Sequence, residues 1–167
     1  MNDSEKVMEI LKNVPLFTGV KDNQHALEEI IKLMKRRSGK MGESVIIEGE
    51  SGNEFFILLS GRVSVYKNTP DGNIYKVVVL TSNMNPGIGE GGLVDAEARS
   101  ATVKCDVDCE FLVLERTDFD GFCDRHPKYA VPIYRKIAMV LMNRIKQSNQ
   151  DMALLHKALM NEIRGTL

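Results

Sequence analysis

The stretch from Pro86 to Thr102 holds the residues best suited to chemistry. Gly87, Gly89, Gly91 and Gly92 fall within six positions, followed by a helix-compatible turn and then Arg99-Ser100-Ala101-Thr102. Glycines let a backbone approach a ligand closely and present consecutive N–H donors, which suits an anion. A short helix starting near Glu90 aims its N-terminus at the same point, and Arg99 adds a planar fork of donors for phosphate oxygens. Two plainer readings stay open from residue type alone. Arg99 is equally a surface arginine paired with Glu97, and Glu90 a helix-start carboxylate favoured by the dipole.

The elements that position this stretch come from periodicity. Val7, Ile10, Leu11 and Val14 share one helical face, closed by Pro15. A second helix is expected from an Asp22 cap, with Leu27, Ile30, Ile31 and Met34 inward and Lys35-Arg36-Arg37 near its end. From Gly39 to Leu114 the period shortens to that of strands. They are expected at 44–48, 54–60, 62–67, 73–80, 100–105 and 109–115, with Asp71-Gly72 as a hairpin turn. That spacing predicts an α+β fold, an antiparallel β jelly-roll barrel flanked by N-terminal helices and a long C-terminal helix. A short helix through Phe119 and Phe122 ends at His126-Pro127, and the long helix follows Pro132. The expected division is therefore 1–132 for barrel and N-terminal helices and 133–167 for a lid or dimerisation helix of the same domain. Along that helix Ile137, Leu141, Ile145, Ser148, Met152, Leu155 and Leu159 form a narrow a/d seam, the pattern of a two-helix coiled coil. Packing on the chain's own barrel is the alternative.

Two motifs then carry a resemblance. Ile88-Gly89-Glu90-Gly91-Gly92-Leu93, followed after five residues by Arg99-Ser100-Ala101-Thr102, resembles the phosphate-binding cassette of the cyclic nucleotide-binding domain family. The run Glu48-Gly49-Glu50-Ser51-Gly52-Asn53-Glu54-Phe55-Phe56 through Val63 is similar to a second motif of that family, and the resemblance, to a catabolite-activator-like sensory domain without the DNA-binding domain, also takes in Pro15-Leu16-Phe17, Leu112-Val113-Leu114 and His126-Pro127. The resemblance implies a cyclic nucleotide ligand and a role for each matched position. Arg99 would pair with the cyclic phosphate and Glu90 would accept from the ribose 2′-hydroxyl. Backbone around Gly89, Gly91, Gly92 and Leu93, with Ser100 and Ala101, would complete the shell. On the last helix Arg144, Ser148 and Asn149 match a base-contacting stretch, one of them reaching from a partner subunit; solvated flanks and a polar seam residue are the alternative. Ser100 stands where cAMP-selective kinase members often place alanine and cGMP-selective ones threonine; the catabolite activator, which responds to cAMP, has serine there, and by that match cAMP is expected over cGMP. The sequence departs from the family in Ile88, where an aromatic is usual, and in Gly92, where alanine is usual; the second implies a looser cassette helix.

Bulk properties narrow the class. The chain has 167 residues, 43% apolar and 27% charged, enough for one domain with a core and too apolar for disorder. Net charge is −1, divided as −5 before Ile133 and +4 from there on, short of a DNA-binding footprint. No apolar run approaches a membrane span, and the N-terminus lacks a secretory core, so a cytoplasmic location is expected. Cys105, Cys109 and Cys123 match no redox or zinc spacing, and His25, His126 and His156 stand apart. No nucleophile elbow or P-loop appears, so neither enzyme activity, nor a metal, nor a required cofactor is expected. The chain stops at Leu167, short of a winged-helix domain. The expectation is a stand-alone cyclic nucleotide sensor, a homodimer through its last helix, acting on a protein effector and on neither DNA nor membrane. A ligand-free interaction module with a degenerate cassette, or a fragment of a ligand-gated transcription regulator, are the alternatives.

Overall fold

Phe55, Phe56, Ile57 and Leu58 are all buried, so the strand that holds them must be covered on both faces. A computed structural model, describing residues 3–95 and 98–165, gives the arrangement. Helices α1 (Asp3–Asn13) and α2 (Gln24–Leu33) flank a 3-10 helix at Pro15–Val20. Strands β1 (Lys35–Gly39), β2 (Ser44–Ile46), β3 (Glu54–Ser60), β4 (Arg62–Asn68), β5 (Ile74–Thr81), β6 (Gly87–Ile88), β7 (Thr102–Cys105) and β8 (Cys109–Glu115) follow. Helices α3 (Arg116–Arg125) and α4 (Pro127–Gly165) close the chain.

The strands form two antiparallel four-stranded sheets, ordered β1-β8-β3-β6 and β2-β7-β4-β5. Period two then sorts the core. Phe56 and Leu58 of β3, with Phe111 and Val113 of β8, meet Val63 and Val103 of the facing sheet. Phe55 and Ile57, with Leu112 and Leu114, face the other way, onto Phe17, Leu27, Phe119, Phe122 and Ile133. The first sheet is thus the middle of three layers, between the helices and the second sheet.

Four expectations need correction. The sheets face each other as an open sandwich and do not close into a barrel, because every ladder stays within its own sheet. Lys35-Arg36-Arg37 does not end α2; it forms β1, paired with β8 from Lys35↔Val113 to Gly39↔Cys109. Its side chains are exposed through Ser38, so no apolar alternation marks it. The long helix starts at Pro127, not after Pro132, with His126 O accepting from Tyr129 and Ala130 N–H groups. Proline suits a first helical position, where its missing N–H would be unpaired anyway, and Pro132 removes only one further donor. The α2 cap is Asn23, whose Oδ1 accepts from Ala26 N at 2.9 Å, rather than Asp22.

The first part of α4 docks on the 3-10 helix through Tyr129, Ala130, Ile133 and Ile137. The approach is close at Gly19, where an added Cβ would sit 2.9 Å from Pro132 O. From Met142 to Arg164 every residue is exposed. Gly19→Ala is therefore expected to destabilise the fold by about 1–3 kcal/mol, as overpacking does. Urea unfolding of wild type and variant checks this, and an unchanged midpoint would contradict the docking.

Candidate functional site

The loop after β2 and the residues before β7 hold each other by backbone. Gly49 N donates to Arg99 O at 2.9 Å, Arg99 N donates to Glu50 O at 2.8 Å, and Ser51 bridges Ala98. This register sets Arg99 beside the start of β3. Its side chain turns inward, with Nη2 donating to Glu54 O at 2.7 Å and Nη1 to Gly89 O at 3.2 Å.

The space for that guanidinium is made by glycines. A Cβ on Gly52 would lie 2.1 Å from Arg99 Nε, and one on Gly89 or Gly92 would lie 2.7 Å from Nη1. Gly89 also needs its left-handed backbone, φ +80°. Gly52 is glycine because an arginine passes through the volume that its side chain would take. The position of Gly92 is crowded likewise, since a Cβ there would lie 2.7 Å from Nη1 and 2.9 Å from Gly52 O. Burial lowers the Arg99 pKa from its usual value, while the carboxylates of Glu54 and then Glu90 oppose that shift. An arginine so placed stays charged.

Glu90 opens a 3-10 turn, Glu90–Leu93, in which Gly92 N donates to Gly89 O at 3.0 Å. Leu93 is buried in the helix-side core, which fixes the turn against the layer that holds α4. Glu90 itself is only 2% exposed, and among the described residues neither carboxylate oxygen has a hydrogen-bond partner. Arg144 Nη2 from α4 stands 2.7 Å from Oε1, a close ionic approach outside hydrogen-bond geometry. A dipole-favoured surface carboxylate is not buried in this way, and buried acceptors without donors are uncommon.

The structure thus brings Gly89–Leu93, Arg99 and Arg144 together. Ser100 is exposed beside them, Ala101 half-buried, and Ser148 and Asn149 lie exposed farther along α4. The alternative pairing of Arg99 with Glu97 falls outside the described residues. Ile88 replaces the usual aromatic by packing with Val45, Ile46 and Phe56 between the sheets. Glu54 was missed as a site residue, since its contribution to Arg99 is a backbone carbonyl that no side-chain pattern announces.

Other chemistry finds little support among the described residues. No group of three or more His, Cys, Asp or Glu could hold a metal ion, and no helix is long and apolar enough to cross a membrane. Cys105, Cys109 and Cys123 are free and buried; burial and the neighbouring Cys109 push the Cys105 thiol up to about 12, far from a reactive thiolate. A groove of about 600 Å³ lies between α1 and α2, lined by Met8, Ile31 and exposed charged residues, away from the cassette.

Comparison with known proteins agrees with this geometry. Residues 36–126 match the model of the cyclic nucleotide-binding domain. The chain belongs to that family. It is 31% identical over 133 residues to a cyclic nucleotide-gated potassium channel of Mesorhizobium japonicum, covering 78% of this chain and 34% of the channel. It is 26% identical over 147 residues to the cyclic AMP receptor protein of Thermus thermophilus, covering 87% of this chain and 63% of that protein. The crystal structure of the Thermus thermophilus catabolite activator protein shares the fold, with TM-score 0.73 and 24% identity over 84% of this chain and 62% of that one. The chain therefore spans about a third of the channel and under two thirds of the receptor protein.

Gly52→Ala tests the glycine cage, since its backbone is not left-handed and only the space is contested. The variant is expected to fold while expelling the guanidinium. Arg99 Nε–H exchange, followed by NMR, should speed up at least tenfold; unchanged exchange would refute the cage.

Proposed function

We propose that this domain binds a 3′,5′-cyclic nucleotide in the cassette and transmits binding through α4. The observation that carries the reading is Glu90, a buried carboxylate with unmet acceptor capacity beside a half-buried, preorganised arginine. A cyclic nucleotide answers both needs. Its phosphate takes the remaining Arg99 donors, and its ribose 2′-hydroxyl donates to Glu90. Because two backbone carbonyls already hold Arg99, little side-chain entropy is lost on binding. Gly92 N–H is spent on Gly89 O, so its share in the phosphate shell is reduced and Arg99 carries more. Nothing in the reading requires catalysis or a metal.

Ser100, with its hydroxyl at the site's edge, supports cAMP ahead of cGMP by the family pattern. The relatedness to a protein named cyclic AMP receptor protein points the same way. Arg144 touches Glu90 directly, which supports a place for α4 at the mouth of the site, with Ser148 and Asn149 next along its length as contacts to the base. Ligand would displace Arg144 from Glu90 and shift the population of α4 positions.

The exposed half of α4 supports a homodimer. Ile145, Met152, Leu155 and Leu159 are each more than half exposed and continue the line of the docked Ile137 and half-buried Leu141. A seam so placed matches a parallel partner helix. Change in that pairing would present a new surface to a protein effector, and the setting would be cytoplasmic.

Two measurements check these claims. Calorimetric titration should give saturable cAMP binding, weaker cGMP binding, and at least about tenfold loss in Arg99→Ala, since a charge-assisted hydrogen bond contributes about 1.5–3 kcal/mol. Absence of binding to either nucleotide by the folded wild type would refute the ligand. Sedimentation should give a dimer of the 18.7 kDa chain, converted to monomer by Leu155→Glu; a wild-type monomer would refute the seam.

A further inference from the structure

Glu54 and Glu115 lie directly opposite each other in the β3–β8 ladder. Like charges so placed destabilise a sheet, and the arrangement is met by cations from β1. Lys35 Nζ reaches Glu115 at 2.7 Å, and Arg37 Nη1 reaches Glu54 Oε2 at 3.5 Å. Arg37 is itself steadied over the Phe56 ring, 5.5 Å from its centroid. The two pairs differ in one respect. Lys35–Glu115 serves the ladder alone, whereas the residue held by Arg37 also gives its backbone carbonyl to Arg99 Nη2 at 2.7 Å.

Arg99 is placed by backbone, through Glu54 O, Gly89 O and the glycine cage. The Glu54 carboxylate is not needed for that placement. What it adds is a negative charge on the residue whose carbonyl Arg99 Nη2 contacts at 2.7 Å, and that charge, like the one on Glu90, opposes the burial shift of Arg99. A nearby negative charge also lowers the potential that an incoming anion meets. Arg37 returns part of that potential by neutralising the carboxylate.

We propose that the Arg37–Glu54 ion pair sets the strength with which the Arg99 site holds an anion, Glu54 weakening it and Arg37 restoring it. The inference rests on the ligand reading above but concerns two residues outside the cassette. It gives the basic strand β1 a purpose beyond guarding a sheet edge, and it makes affinity adjustable without moving any ligand-contacting group. Glu54 and Arg37 are thus charge-setting residues for the phosphate subsite.

Glu54→Gln keeps the backbone carbonyl and side-chain shape while removing the charge. Binding of cAMP and, separately, of inorganic phosphate should be followed in wild type, Glu54→Gln, Arg37→Gln and the double variant, using the Arg99 Nε–H signal at low and high salt. Glu54→Gln should bind each anion about three- to tenfold more tightly, Arg37→Gln about threefold more weakly, and the double variant should resemble Glu54→Gln. The differences should shrink at high salt, which a packing defect would not do. Unfolding midpoints that stay close to wild type in all three variants keep the comparison clean. Glu54→Gln binding equally or more weakly, or Arg37→Gln binding no worse, would overturn the proposal. Phosphate binding without cyclic nucleotide binding would instead refute the ligand reading, leaving this one to be judged on phosphate; a wild type that takes neither refutes both.

Discussion

A guanidinium folded into its own protein sets the terms for everything around it. Removing a charge from water costs several kcal/mol unless dipoles or counter-charges replace the solvent. For Arg99 the replacements are two backbone carbonyls, of Glu54 and Gly89, with carboxylates of Glu54 and Glu90 behind them. Those carbonyls exist where they do because β3 starts at Glu54 and because the 49–52 loop is tied to Arg99 by two reciprocal backbone hydrogen bonds. The guanidinium in turn forbids side chains at Gly52, Gly89 and Gly92. A single desolvated cation therefore dictates three glycines, a loop register and a strand start.

The long helix divides by burial into a part that belongs to this fold and a part that does not. Through Ile137 it is core, locked by the close approach of Gly19 to Pro132. Beyond Leu141 it makes one ionic contact with the cassette, Arg144 to Glu90, and otherwise presents apolar residues to solvent. A helix of 39 residues thus has a covered first third and a bare apolar stripe afterwards, the surface on which the proposed pairing rests.

Legibility from sequence followed the kind of interaction involved. Strands β3 and β8 agree with expectation at both ends, because their buried apolar runs are bounded by turn residues. Strand β1 was read as helix end, because it is held by backbone pairing and ion pairs, which leave no apolar period. A barrel was expected where an open sandwich stands, since strand spacing reports strands and turns but not whether outer edges meet. At the site, Glu90 and Arg99 were marked by residue type and spacing, and the structure brings them to one place. The reasons for Gly52 and Gly92 were not visible. Glycine can serve backbone angle or empty space, and residue type does not say which: Gly49, Gly61 and Gly72 have a left-handed backbone, whereas Gly52 leaves space for Arg99.

The burial of Glu90 has a consequence for how binding would couple to α4. A carboxylate with no hydrogen-bond donor among the described residues and one cation at its edge has a single interaction to exchange. In the proposed reading a ribose hydroxyl and Arg144 compete for the same oxygens, so ligand and docked helix are alternatives at that point rather than partners. Coupling of this sort is worth about 1–3 kcal/mol, enough to change helix occupancy five- to a hundredfold and no more. The largely solvent-exposed Arg144 keeps the contact at the weak end, as exposed cations do. In that reading a helix held only lightly over the cassette is free to respond when ligand takes its place on Glu90.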